Sequence, residues 1–134
     1  MHITAKYLLL ALGCLAGAQG ASAHHSFAAE FDVKSPVEFV GKVVKVELIN
    51  PHSWIHLEVV NQDGSKDVWM VEGGSPNALF RKGVTKQSIP LGSELAVTGY
   101  QARDGRKRAV GRTIKFSDGR SLFFDSTAIP KTAE

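Results

Sequence analysis

The sequence predicts a mainly β domain: a small barrel of five to six strands with one short helix between strands three and four. Three observations predict it. Apolar residues alternate with polar ones at period two over most of the chain beyond residue 37, the pattern of half-buried strands. Turn-forming groups punctuate that alternation at Asn50-Pro51, Asn61 to Ser65, Asp104-Gly105 and Asp118-Gly119. A single stretch, residues 75–83, changes period and carries helix start and stop signals.

The first strand is expected over residues 37–49, with Val44, Val46 and Leu48 on one face and Val43, Lys45 and Glu47 on the other. Asn50-Pro51 breaks it. The second covers residues 54–60, with Ile55, Leu57 and Val59 on one face and Trp54, His56 and Glu58 on the other. A hairpin turn leads to the third, residues 68–71, which contains Trp69 and Met70. Ser75 is an N-cap and Pro76 opens the helix, which runs to Lys82 and stops at Gly83. The fourth strand is expected over 94–100, the fifth over 109–116 and a short sixth over 121–124, before a loose tail over 128–134. Three strands, a helix and two further strands match the five-stranded Greek-key barrel of the OB-fold. An open β-sandwich or a roll of hairpins is the competing arrangement.

The chain has 134 residues, 16 Lys+Arg and 13 Asp+Glu, for a net charge of +3. That length suits one domain. A single cysteine, Cys14, excludes an intramolecular disulfide framework and any multi-cysteine metal site.

Residues 1–23 read as a cleavable signal peptide. Lys6 supplies the positive start, residues 7–18 an apolar stretch shorter than the ~20 residues that cross a bilayer, and Ala21-Ser22-Ala23 the small-residue cleavage site. A lipoprotein signal ending at Cys14 is the competing reading, but the leucine before it sits one position too close. Cleavage between residues 22 and 24 leaves a single barrel domain over 24–134, exported to the periplasm and without a transmembrane segment. Such a chain has no cysteine, so its core alone must hold it.

Basic residues gather late, at Arg103, Arg106, Lys107, Arg108, Arg112, Lys115 and Arg120. They read as a solvated hairpin, with a weak contact to an anionic surface such as lipid headgroups as the functional alternative. Nucleic acid is not expected as a partner of an exported protein.

Three segments, Ala23-His24-His25-Ser26-Phe27, Asn50-Pro51-His52-Ser53-Trp54 and Gly74-Ser75-Pro76-Asn77-Ala78-Leu79, resemble motifs of a family of small exported bacterial proteins of unknown function. The resemblance spans nearly the whole exported chain. It implies a periplasmic, barrel-like domain and carries over no catalytic residue.

Chemistry must therefore come from side chains. Beyond Ala23 the chain holds four histidines, His24, His25, His52 and His56. Cleavage after Ala23 makes His24 the first residue, where its α-amine and ring Nδ1 form one chelate. Nitrogen ligands of this kind suit Cu(II) in tetragonal geometry and Zn(II) in tetrahedral geometry, and the exported chain offers no thiolate. On one straight strand His52 and His56 would stand about 13 Å apart, so they would not share an ion. The expected site combines His24 and His25 with one of His52 or His56. The incidental reading is that His24 and His25 begin a polar segment, His52 caps a turn and His56 lies on a wet strand face.

No catalytic residue is assigned. Ser26, Ser53 and Ser75 lack the glycine pattern of a nucleophile elbow. Gly73-Gly74-Ser75 lacks the lysine and spacing of a phosphate loop. The sequence thus predicts a periplasmic binding or accessory module that takes a divalent metal, copper first. The alternative is a non-metal module that binds a small ligand or a partner protein on an aromatic face around Trp54 and Trp69.

Overall fold

The computed structural model describes residues 27–124. The expected leader, its cleavage site, His24, His25 and the expected tail over 128–134 lie outside the described residues. Five strands form in chain order: β1 (Phe31–Leu48), β2 (Ser53–Val60), β3 (Lys66–Glu72), β4 (Glu94–Ala102) and β5 (Arg108–Phe116). Between β3 and β4 lie a helix, α1 (Pro76–Arg81), and a single 3-10 turn over Lys86–Ser88. The strands close on themselves in the order β1-β2-β3-β5-β4. The one parallel pair is β3 with β5; the other neighbours run antiparallel. This is the OB-like order the sequence predicts, with the helix where it was expected.

β1 is the backbone of the closure. Its first part pairs with β4 and its last part with β2. It starts six residues earlier than expected. Phe31 and Pro36, ahead of that expected start, both pair with β4. The anchor is Phe31, 3% exposed, which packs in a small cluster with Phe27, Tyr100, Ala102 and Val110.

A bulge between Val43 and Lys45 corrects the expected facing of β1. Val43 is buried at 1% exposure and Val44 stands outside at 43%, the reverse of the straight period-two reading. An inserted residue flips the parity of everything after it. Val46 and Leu48 still reach the core because the flip lies ahead of them.

β2 sends Ile55 and Leu57 inward, both fully buried, and leaves Trp54, His56 and Glu58 on the other face. Val71, Leu79, Leu95, Val97, Ile114 and Phe124 complete the main core. Each such burial stabilises by roughly 1.5–3 kcal/mol. α1 begins as its sequence requires: the Ser75 hydroxyl accepts from the Ala78 N–H at 3.3 Å, and Pro76 occupies the first turn. Leu79 is its fully buried anchor.

Residues 121–124 are not a sixth strand. They make one isolated bridge, Lys115 with Ser121, and the Leu122 N–H donates to the Ile114 carbonyl at 2.8 Å, but no ladder continues beyond it. Phe124 turns inward to cap the barrel. A β-carbon at Gly73 would stand 2.3 Å from the Phe124 ring, so glycine is what lets that ring seat. At Gly99 a β-carbon would stand 2.1 Å from the Val110 carbonyl oxygen, beside the register shift between β4 and β5.

Candidate functional site

The turn between β1 and β2 carries a cis Asn50–Pro51 bond and delivers His52 just ahead of β2. Ser53 then ties this turn to the glycines before α1. Its N–H donates to the Gly74 carbonyl at 3.0 Å, and its carbonyl accepts from the Gly73 N–H at 2.9 Å. Two of the three segments singled out in the sequence are thereby fastened backbone to backbone.

Beside them lies a cleft of about 480 Å³, lined by Glu30, Glu47, Ile49, Asn50, Pro51, His52, Trp54, Glu72 and Arg108. Register explains its make-up. Trp54 is the cross-strand partner of Glu47 on β1 and of Glu72 on β3, so the three share one face of the sheet.

Glu72 is the unusual member, an acid only 3% exposed. Its carboxylate faces Nδ1 of His52, whose side chain is 40% exposed at the mouth. Loss of water around Glu72 pushes its carboxyl above the ordinary value, and the hydrogen bond and charge of His52 oppose that rise. Contact through Nδ1 leaves Nε2 on the far side of the ring. Among the described residues that nitrogen has no partner.

His56 is held differently. Its Nε2 meets Glu47 Oε2 at 2.6 Å, and its side chain is 14% exposed. Lys45 grips the other oxygen of Glu47 at 2.6 Å. Lys45 first, then His56, hold the Glu47 carboxyl below its usual range. The two described histidines therefore belong to two different carboxylates. Among the described residues no group of three or more His, Cys, Asp or Glu could hold a metal.

Arg108 closes the cleft on the β5 side. Its guanidinium lies 5.3 Å from the centroid of Phe31 and 5.3 Å from that of Trp54, and it pairs with Glu30. Its Nε is buried with no partner among the described residues. Phe27, the last residue of the first sequence segment, packs against Phe31 at 5.9 Å between ring centroids. Arg108 thus links the strand entered from the first segment to the Trp54 of the second.

One expectation here needs correction. Trp54 and Trp69 do not form one aromatic face. Trp69 pairs with the core residue Leu57 and stacks on Phe39 at 4.8 Å, while Trp54 pairs with Glu72 on the opposite face of the sheet. In the basic segment, read from sequence as a solvated hairpin, several side chains meet acids. Arg106 pairs with Asp104, Lys107 with Asp67, Arg108 with Glu30 and Arg120 with Asp118, and Arg103 Nε donates to the Ala28 carbonyl at 2.6 Å.

Glu30, Glu47, Glu72 and Arg108 are cleft residues that sequence reasoning missed. Glu72 did leave a signal. It is a lone acid at the end of the apolar run Val68 to Val71, just before two glycines. On a strand, alternation puts it on the face of Met70 and away from Val71.

A family model describing a family of unknown function (DUF6152) matches residues 11–112. The chain belongs to that family. No curated protein matches it. Among solved structures the chain is similar to the dimeric N-terminal domain of the PriB protein from Thermoanaerobacter tencongensis. Identity is 22% and the TM-score 0.44, over 62% of this chain and 96% of that one. No helix among the described residues is long and apolar enough to cross a membrane.

Proposed function

We propose that this protein is an exported, periplasmic binding module that takes a divalent metal ion, copper first and zinc second. Its ligands are His52 and the histidines at the start of the processed chain, His24 and His25. The observation that carries the reading is the presentation of His52. A buried carboxylate holds one ring nitrogen, and the other has no partner among the described residues. Metal-bound histidines are oriented by an outer carboxylate in this way.

The cleft also favours His52 over His56 as the partner of the N-terminal histidines. Glu30 lines it. His25 is two residues from Phe27, so the covalent chain keeps it within about 7 Å of the Phe27 backbone. His56 is also less open to an ion, its side chain 14% exposed against 40% for His52. An amine, two or three imidazoles and no thiolate suit Cu(II), which also leads the divalent affinity order.

The test is a Cu(II) titration of four proteins: the correctly processed chain, His52→Ala, His56→Ala, and a chain extended ahead of His24. His52→Ala and the extension should weaken binding, and His56→Ala should leave it unchanged. Equal affinity in all four would reject the site.

A second reading is a non-metal module that holds a small polar ligand in the same cleft. Its size and its mixed lining of Trp54, Arg108 and carboxylates favour it. Under that reading none of the four proteins would bind copper tightly.

A further inference from the structure

We propose that Glu72 is a positioning residue: its buried carboxylate fixes the tautomer of His52, so that Nε2 and not Nδ1 is the atom offered to a ligand in the cleft. The inference rests on the metal-binding reading only for what the offered atom would hold. The placement of the proton is a claim about the protein by itself.

Neutral imidazole carries one proton and one lone pair, and the nitrogen that faces an ionised carboxylate keeps the proton. Nδ1 of His52 faces Glu72; with that carboxylate ionised, Nδ1 takes the donor role and Nε2 keeps its lone pair. A histidine in water favours the opposite arrangement, with the proton on Nε2. Glu72 therefore reverses an intrinsic preference.

The surroundings make the reversal firm. Glu72 is 3% exposed, so water does not compete for its oxygen. It lies at the end of β3 with its backbone paired to Trp54 and to Val110, so it does not swing away. The turn over residues 50–52 approaches from the other side and is tied down next door through Ser53, Gly73 and Gly74. Both partners of the pair are thus held by backbone bonds to separate elements. His56 offers the contrast that isolates the idea. Its Nε2 contacts Glu47, so its ring is turned the other way, and the same rule puts its proton on Nε2.

The experiment is nitrogen-15 NMR of the imidazole rings in the metal-free protein in mildly alkaline buffer. His52 in the wild type should show a protonated Nδ1 and a bare Nε2, and His56 the reverse. Glu72→Leu removes the acceptor and should move the His52 proton to Nε2. Glu72→Gln keeps an amide oxygen at the same place and should restore the wild-type signature. Cu(II) binding should weaken by about 10–100-fold in Glu72→Leu, the usual cost of an outer carboxylate, and less in Glu72→Gln.

A wild-type His52 with its proton on Nε2 would overturn the proposal, and it needs no variant to fold. So would an unchanged signature in Glu72→Leu, whatever its copper affinity. If the tautomers behave as expected and the wild type still binds no metal, the positioning role stands and the metal reading fails.

Discussion

Arg108→Ala should destabilise the domain far more than Arg106→Ser, although the two arginines lie two residues apart in one basic run. Arg106 reaches only Asp104 in its own turn, and its side chain is 70% exposed. Such a solvent-exposed pair adds little, so its loss should be no larger than an ordinary surface substitution. Arg108 is 21% exposed and lies over two rings, each at 5.3 Å. Two such contacts contribute roughly 0.5–1 kcal/mol each. The pair with Glu30, itself half exposed, adds about 0.2–1 kcal/mol. Against this stands the buried, unpartnered Nε, whose removal returns about 1 kcal/mol. Loss of the packed side-chain stem restores a similar amount to the cost. The net is a loss of about 1–3 kcal/mol, or roughly 4–24 °C in melting temperature for a domain near 100 residues. Thermal and urea unfolding followed by circular dichroism would measure it, with a Trp54 double-mutant cycle to isolate the ring contact. If Arg108→Ala costs no more than Arg106→Ser, the stacking assigned to Arg108 is wrong.

Leu79→Ala should cost about 2–5 kcal/mol, because this fully buried side chain is the core anchor of α1; an unfolding midpoint close to wild type would show the helix is held by something else. Gly99→Ala should be severely destabilising or fail to fold, since the new β-carbon would stand 2.1 Å from a backbone oxygen of β5; a well-folded variant with an unchanged spectrum would contradict the close approach of the two strands. Lys107 first, and then Asn61, hold the Asp67 carboxyl below its ordinary value of 3.8. A depressed acid stabilises the fold above its unfolded value and loses that contribution as pH falls through the folded one. The stability gap between wild type and Asp67→Asn should therefore shrink as pH drops below about 4, and a gap that widens would have the wrong sign.

How much of this was legible in the sequence follows from what kind of information each feature needs. Element types and order were legible, because alternation and turn residues are local. α1 was legible for the same reason: Ser75, Pro76 and Gly83 act within a few residues of themselves. The facing of Val43 and Val44 was not, because the bulge that sets it depends on the register with β2. The separation of Trp54 from Trp69 is a cross-strand relation and has no local mark. Residues 121–124 look like a strand because Leu122 and Phe124 alternate with polar or exposed neighbours. They bury those two side chains while their backbone continues no ladder.

The candidate site divides along the same line. His52 and His56 stood out as rare residue types. Their different roles come from Glu72 and Glu47, which are distant in sequence and adjacent only through strand pairing. Arg108 seemed one member of a charged run. Its contacts with Glu30, Phe31 and Trp54 join chain segments more than fifty residues apart in sequence.

Native mass spectrometry of the exported protein after exposure to Cu(II) tests the central claim most directly, because one spectrum reports both the N-terminus and the retained metal. The account predicts a chain that begins at His24 and keeps one copper ion, which His52→Ala fails to keep. A correctly processed chain that stays metal-free, or a copper ion kept equally by His52→Ala, would contradict it.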